Sequence, residues 1–286
     1  MNTFISKINN LQILWVACCI AMVSCNDVHR EMTTKFSELS AEKSGVLFTN
    51  TITENDTLSY FKFPYIFMGG GVSIGDINND GLSDLFLTGN MVPNKLYLNK
   101  GNFEFEDITE NAGISGDQRW YTGATMTDIN NDGFLDIYLS VSGLNSNTEN
   151  QLFVNNGDLS FTESASEYGI NDKSNSIQST FFDYDNDGDI DLFVANYPSV
   201  PISQGNLFYD AKMKENDPTE SGHLYRNDGK GKFSDITQEA GVQNFGLTLG
   251  LIASDFNNDG WQDLYLSNDF NVPDYFYINN QDGTFR

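Results

Sequence analysis

Asp183-Tyr-Asp-Asn-Asp-Gly-Asp-Ile-Asp191 decides how this chain folds, because it is one of four copies. The others are Asp76-Ile-Asn-Asn-Asp-Gly-Leu-Ser-Asp84, Asp128-Ile-Asn-Asn-Asp-Gly-Phe-Leu-Asp136 and Asp255-Phe-Asn-Asn-Asp-Gly-Trp-Gln-Asp263. Their starts lie 52, 55 and 72 residues apart, a spacing typical of repeat architectures. An apolar run follows each: Leu85–Thr88, Ile137–Val141, Leu192–Ala195 and Leu264–Ser267. A second echo comes next, in Leu96-Tyr-Leu-Asn99, Leu152-Phe-Val-Asn155, Leu224-Tyr-Arg-Asn227 and Phe276-Tyr-Ile-Asn279. Each echo runs into a Gly-containing turn and then an aromatic strand start, read as Phe103, Phe161, Phe233 and Phe285. The first three copies close with Ala112-Gly-Ile114, Tyr168-Gly-Ile170 and Ala240-Gly-Val242.

In the first copy this pattern predicts strands over 71–76, 84–88, 95–99 and 103–108, with the acidic loop between the first two. Alternating β-branched and aromatic residues, punctuated by Asn-Gly and Asp-Gly, favour antiparallel hairpins over helices. Four strands per unit of about 50 residues make a propeller blade. A β-sandwich of repeated hairpins would explain the strands but not the recurrence of the whole four-strand register. The expected fold is therefore all-β, a propeller with blades near 60–114, 115–170, 171–242 and 243–286, the last cut short at Thr284-Phe-Arg286. The aromatic-rich Phe61–Phe67 is expected to supply strands of a further blade without an acidic loop, giving about four to five blades in an incomplete ring.

The repeated unit resembles the FG-GAP/VCBS family, the blades of integrin-α propellers and of cartilage-acidic-protein-like bacterial exported proteins. The resemblance covers roughly residues 60–286. It implies calcium-dependent propeller blades, interaction rather than catalysis, and a ring of about seven blades, so this chain reads as a partial one.

The acidic loops have the composition of calcium cages. Ca²⁺ takes six to eight oxygens at roughly 2.3–2.6 Å in tolerant geometry. The nine-residue loop offers side chains at positions 1, 3, 5 and 9 and a backbone carbonyl at 7. These are Asp76, Asn78, Asp80, Leu82 and Asp84 in the first copy and Asp128, Asn130, Asp132, Phe134 and Asp136 in the second. The third supplies Asp183, Asp185, Asp187, Asp189 and Asp191, and the fourth Asp255, Asn257, Asp259, Trp261 and Asp263. Gly at position 6 allows the sharp turn. An EF-hand would place its last ligand three residues later, on a helix. Asn-Asp-Gly alone is merely a good turn signal. Four copies with Asp at positions 1, 5 and 9 every time, crowding carboxylates that repel without a cation, point to about four bound Ca²⁺ ions. The third loop, with a fourth ligand carboxylate at Asp185, is expected to bind tightest.

Charge and the leader agree with an exported protein. There are 40 acidic residues against 15 Lys and Arg, a formal charge of −25 that repels phosphate backbones and excludes electrostatic nucleic-acid binding. Residues 1–24 read as a lipoprotein signal peptide: Lys7, an apolar stretch from Leu11 to Val23 too short to cross a bilayer, then Val23-Ser24-Cys25. Cys25 is expected to carry the lipid, residues 25–35 to be a tether, and the product to sit on the outer membrane or cell surface. Cys18 and Cys19 leave with the leader, so the remaining Cys25 has no disulfide partner.

No catalytic constellation is evident. Of two histidines, His29 lies in the tether, and His223 occupies a repeat position filled elsewhere by Lys95, Gln151 and Tyr275. Gly69-Gly70-Gly71 precedes a strand rather than a helix and reads as close blade packing. The expected role is a binding or adhesion module for extracellular protein or glycan; the alternative is a non-catalytic propeller portion of a larger polysaccharide-processing enzyme. A ligand face is expected opposite the acidic loops, around Arg119, Trp120 and Tyr121 and the excursion Tyr197–Gly222 with Phe208 and Tyr209, although these aromatics could equally cover blade junctions.

Overall fold

Four antiparallel sheets succeed one another along the chain, each a meander whose strands pair in sequence order. The computed structural model describes residues 36–286 except 118, 143–146, 199, 201–203, 230 and 270, and says nothing of the Pro64 side chain. The signal peptide, Cys25 and the 25–35 tether thus lie outside the described residues. Residues Ser40–Arg286 form one compact unit.

The first sheet holds β1 (Val72–Gly75), β2 (Asp84–Leu87), β3 (Lys95–Asn99) and β4 (Phe105–Asp107). The second holds β5 (Trp120–Thr127), β6 (Asp136–Ser142), β7 (Gln151–Asn155) and β8 (Phe161–Glu163). The third holds β9 (Ser176–Phe182), β10 (Asp191–Asn196), β11 (His223–Asn227) and β12 (Phe233–Asp235). The fourth holds β13 (Thr248–Ser254), β14 (Asp263–Asn268) and β15 (Tyr275–Tyr277), extended by a bridge between Asn279 and Phe285.

Side chains alternate across a strand, so a sheet between two others must be apolar on both faces. β6 and β10 meet that demand. Ile137, Leu139 and Val141 pack with Phe86, Leu96 and Leu98 of the first sheet. Tyr138 points the other way, joining Leu152, Leu192 and Val194 between the second and third sheets. Phe193 and Leu224 face Leu264, Leu266 and Tyr277 of the fourth. The cores therefore lie between successive sheets, and the first strand of each sheet packs against the first strand of the next.

Two of the three glycines are explained by close packing, Gly71 against the next sheet and Gly70 against its own, while Gly69 has open space around it and sits at φ 90°. A Cβ on Gly71 would lie 2.5 Å from the Ala124 backbone nitrogen on β5, and one on Gly70 would lie 2.3 Å from the Thr88 carbonyl oxygen. Neither position has space for a side chain.

Two expectations need correcting, and one element was not foreseen. Pro64–Phe67 is a 3₁₀ turn and not a strand, because Pro64 lacks the N–H that a ladder needs and suits a first helical turn. The excursion Tyr197–Gly222 contains a ten-residue helix, Asn206–Glu215, where the run Leu207-Phe-Tyr-Asp-Ala-Lys-Met-Lys-Glu215 carries no Gly or Pro. The counterpart of Phe161 and Phe233 in the first sheet is Phe105, not Phe103. Asn99 pairs with Phe105 as Asn155 pairs with Phe161 and Asn227 with Phe233. Phe103 sits in the turn at φ 59°, 71% exposed.

Candidate metal centre

All four acidic loops connect the first and second strands of their sheets and share one local geometry. The position-1 carboxylate accepts from the backbone N–H groups of positions 5 and 6. In the first loop Asp76 accepts from Asp80 at 3.1 Å and Gly81 at 2.7 Å; in the third Asp183 accepts from Asp187 and Gly188, both at 3.1 Å. Asp128 and Asp255 do the same for Asp132 and Gly133, and for Asp259 and Gly260. The position-5 carboxylate then accepts from the N–H of position 7: Leu82, Phe134, Asp189 and Trp261, each at 2.8–2.9 Å from Asp80, Asp132, Asp187 and Asp259. The chain curls around a point lined by acceptor oxygens.

Sequence also explains the curl. Position 4 is always Asn, at Asn79, Asn131, Asn186 and Asn258, and all four lie in the left-handed region at φ 57–60°. Asn tolerates that conformation better than other side-chain-bearing residues. Position 6 is always Gly, at φ 86–94°.

Position 9 departs most from an ordinary turn. Asp84, Asp136, Asp191 and Asp263 are 0% exposed. Each accepts two backbone N–H groups, one from position 2 of its loop and one from the Asn that ends the third strand or, for Asn279, lies two residues past it. For Asp136 the donors are Ile129 at 3.0 Å and Asn155 at 2.8 Å; for Asp191 they are Tyr184 at 3.1 Å and Asn227 at 2.8 Å. For Asp84, Asp136 and Asp191 loss of water outweighs these bonds, and neighbouring carboxylates add to it. Burial, then Asp132 and Asp128, push the Asp136 carboxyl up to about 6; burial, then Asp185 and Asp187, push Asp191 up to about 7. Asp84 is raised for the same reasons.

The third loop gathers most negative charge. Carboxylate oxygens of Asp183, Asp185 and Asp187 lie within 4.8 Å of one another, the one such trio of His, Cys, Asp or Glu among the described residues. Oδ1 of Asp185 is buried without a hydrogen-bond partner, and burial followed by Asp187 raises its carboxyl. An orphaned buried oxygen on a desolvated carboxyl that belongs to a cluster of like charges is what a hard divalent cation would satisfy. The residues fit Ca²⁺. In the other loops Asn78, Asn130 and Asn257 replace the position-3 carboxylate, and each donates its amide to the position-5 Asp at 2.9–3.0 Å.

Sequence reasoning missed the Asn of the second echo. Asn155 donates its side-chain amide to the Ile77 carbonyl of the first loop and the Leu135 carbonyl of its own, while its Oδ1 accepts from Gly157. Asn279 repeats this with Tyr184, Gln262 and Gln281. Recurrence of Asn at the end of every third strand was the available signal.

Most aromatic side chains of the expected ligand face are covered. Tyr121 and Tyr209 are each 1% exposed and Trp120 3%, so these rings are core rather than free surface. Tyr197 and Tyr209 pack with Phe245, Leu247 and Val272, and Phe208 leans edge-on against Tyr209. Arg119 is engaged with Asp117 at 2.8 Å. The aromatics therefore cover junctions. A concavity of about 700 Å³ does open beside them, walled by Trp120, Tyr197, Tyr65 and Phe63 and by residues of β1, β5 and β9. His223 begins β11 as expected, and its Nδ1 faces Asp172 at 2.6 Å while its Nε2 lies 3.3 Å from the Pro218 carbonyl.

Residues 76–139, 140–194 and 216–266 match the FG-GAP-like repeat. All three matches close in the second strand of a sheet, β6, β10 and β14, so the repeat of the sequence is offset from the sheet. Cartilage acidic protein 1 from Mus musculus is 27% identical over 203 residues, and the human protein is 26% identical over 203. The Xenopus tropicalis protein is 27% identical over 207. Each match covers 70% of this chain but 28% of the relative.

Proposed function

The chain belongs to the FG-GAP-like repeat family, and from that premise we propose that it is an exported, calcium-stabilised β-propeller segment that binds extracellular protein or glycan without turning it over. In this reading the four sheets are successive blades, each acidic loop holds one Ca²⁺, and Cys25 carries the lipid that retains the protein at the cell envelope. The calcium part rests on a single observation: four loops of one geometry, each backed by a wholly buried carboxylate. When bound, the ion supplies charge neutralisation and a fixed loop shape. The chain's own residues do the rest, with the position-1 and position-5 carboxylates already oriented by backbone N–H groups and position 9 held by the third-strand Asn.

The ligand part is supported by the concavity of about 700 Å³, whose aromatic walls and polar strand edges suit a sugar or a peptide side chain. The test is a binding screen of the full chain against glycans and extracellular proteins, with and without calcium. Saturable binding lost in chelator and weakened by Phe63→Ala is expected. Substrate turnover, or binding that ignores both changes, would overturn the reading.

A further inference from the structure

The acidic loops are not four separate features. Asn79, at position 4 of the first loop, donates its side-chain amide to the carbonyl of Gly133, at position 6 of the second, at 2.8 Å. Asn155 returns the contact, joining the position-2 carbonyl of the first loop to the position-9 carboxylate of the second through its amide and its backbone N–H. The third and fourth loops are joined in the same two ways, by Asn186 to Gly260 at 3.2 Å and by Asn279 to Tyr184 and Asp263. Between the second and third loops the pattern stops. Asn227 spends its amide on the Ile190 carbonyl within its own sheet, and Asn131 makes no cross-loop bond among the described residues.

We propose that the loops bind divalent cations as two coupled pairs, first with second and third with fourth, and that Asn79 and Asn186 transmit the coupling. This rests on the calcium reading above. Asn79 stands between the ligands Asn78 and Asp80, so fixing its side chain fixes theirs. Gly133 precedes Phe134, whose carbonyl is the position-7 ligand, so an ion in the second loop holds the Gly133 peptide where Asn79 needs it. The ion in the first loop then has less disorder to remove, and linkage makes the effect reciprocal. Electrostatics acts the other way. Three carboxylates in each of the first two loops leave a filled loop at a net charge of −1, which attracts the next cation less than the empty loop did, so the hydrogen-bonded path has to outweigh that loss for the pair to be positively coupled.

Native mass spectrometry of the full chain during a calcium titration, paired with calorimetry, tests this. Species with two and four ions are expected to dominate over those with one and three, with the second ion of a pair bound on the order of 10-fold more tightly than the first. Asn79→Gly keeps the left-handed backbone and removes the amide; it is expected to abolish coupling in one pair, and Asn186→Gly in the other. Asn131→Gly is the control and leaves both intact. Calcium bound as four independent events in the unaltered chain overturns the coupling and leaves the calcium reading standing. No calcium bound at millimolar concentration overturns both.

Discussion

The buried carboxyls of Asp136 and Asp191 make the cation-free protein an acid-stabilised one. Asp136 and Asp191 have folded-state values near 6 and 7 against an ordinary 3.8. A carboxyl raised on folding binds more protons in the folded than in the unfolded state, so stability falls as pH rises through that interval. At about 1.4 kcal/mol per pH unit, Asp136 costs about 3 kcal/mol and Asp191 about 4 kcal/mol once both are ionised. Together these are about 7 kcal/mol, comparable with the whole stability of an ordinary domain. Thermal melts in calcium-free buffer between pH 4.5 and 8 should therefore show a melting temperature that falls steadily towards pH 8. Saturating calcium binds the ionised form, and a free concentration 100 times the dissociation constant returns about 2.7 kcal/mol per site. The calcium curve should therefore stay nearly level over the same interval, diverging most from the calcium-free one above pH 7. Two parallel curves, or a calcium-free curve that climbs with pH, would refute this view of the ninth position.

Other substitutions report on separate parts of the structure. Gly71→Ala places a methyl 2.5 Å from the Ala124 nitrogen and should lower stability by about 1–3 kcal/mol in denaturant unfolding, whether or not calcium is present. Phe161→Ala should cost about 3–5 kcal/mol, whereas Phe103→Ala, in an exposed turn, should stay within about 0.5 kcal/mol. His223 donates towards both the buried Asp172 and the Pro218 carbonyl, and burial is outweighed by the Asp172 contact, so its folded value lies above 6.5. Its contribution is complete below pH 6.5 and lost as pH rises through the folded value. A His223→Gln variant should lose that part of the pH profile, and an NMR titration should place the His223 midpoint above 6.5.

Much of this was legible in the residues alone. The acidic loop, the paired strands and the glycine packing were each carried by a local signal, namely spacing, alternation or an absent side chain. The third-strand Asn was visible as a recurrence, but its role depends on a contact with the preceding sheet that no local pattern reveals. Trp120, Tyr121 and Tyr209 were ambiguous for a related reason, since an aromatic residue in a connection reads the same whether it faces solvent or seals a junction. Phe103 misled because it follows the turn glycine, as a strand start would. The fixed six-residue interval from Asn99 to Phe105, repeated from Asn155 to Phe161 and from Asn227 to Phe233, identifies the true partner. Helix Asn206–Glu215 lies inside a connection where no repeat partner exists for comparison.

The most direct measurement is a crystal structure of the full chain grown in calcium, with anomalous scattering used to locate the ion. The expected result is one calcium in each loop, with oxygens of Asp183, Asp185, Asp187 and Asp191 and the Asp189 carbonyl at about 2.3–2.6 Å in the third. Water in that pocket, with the Asp185 carboxylate turned to solvent and no anomalous signal at any of the four loops, would contradict the account.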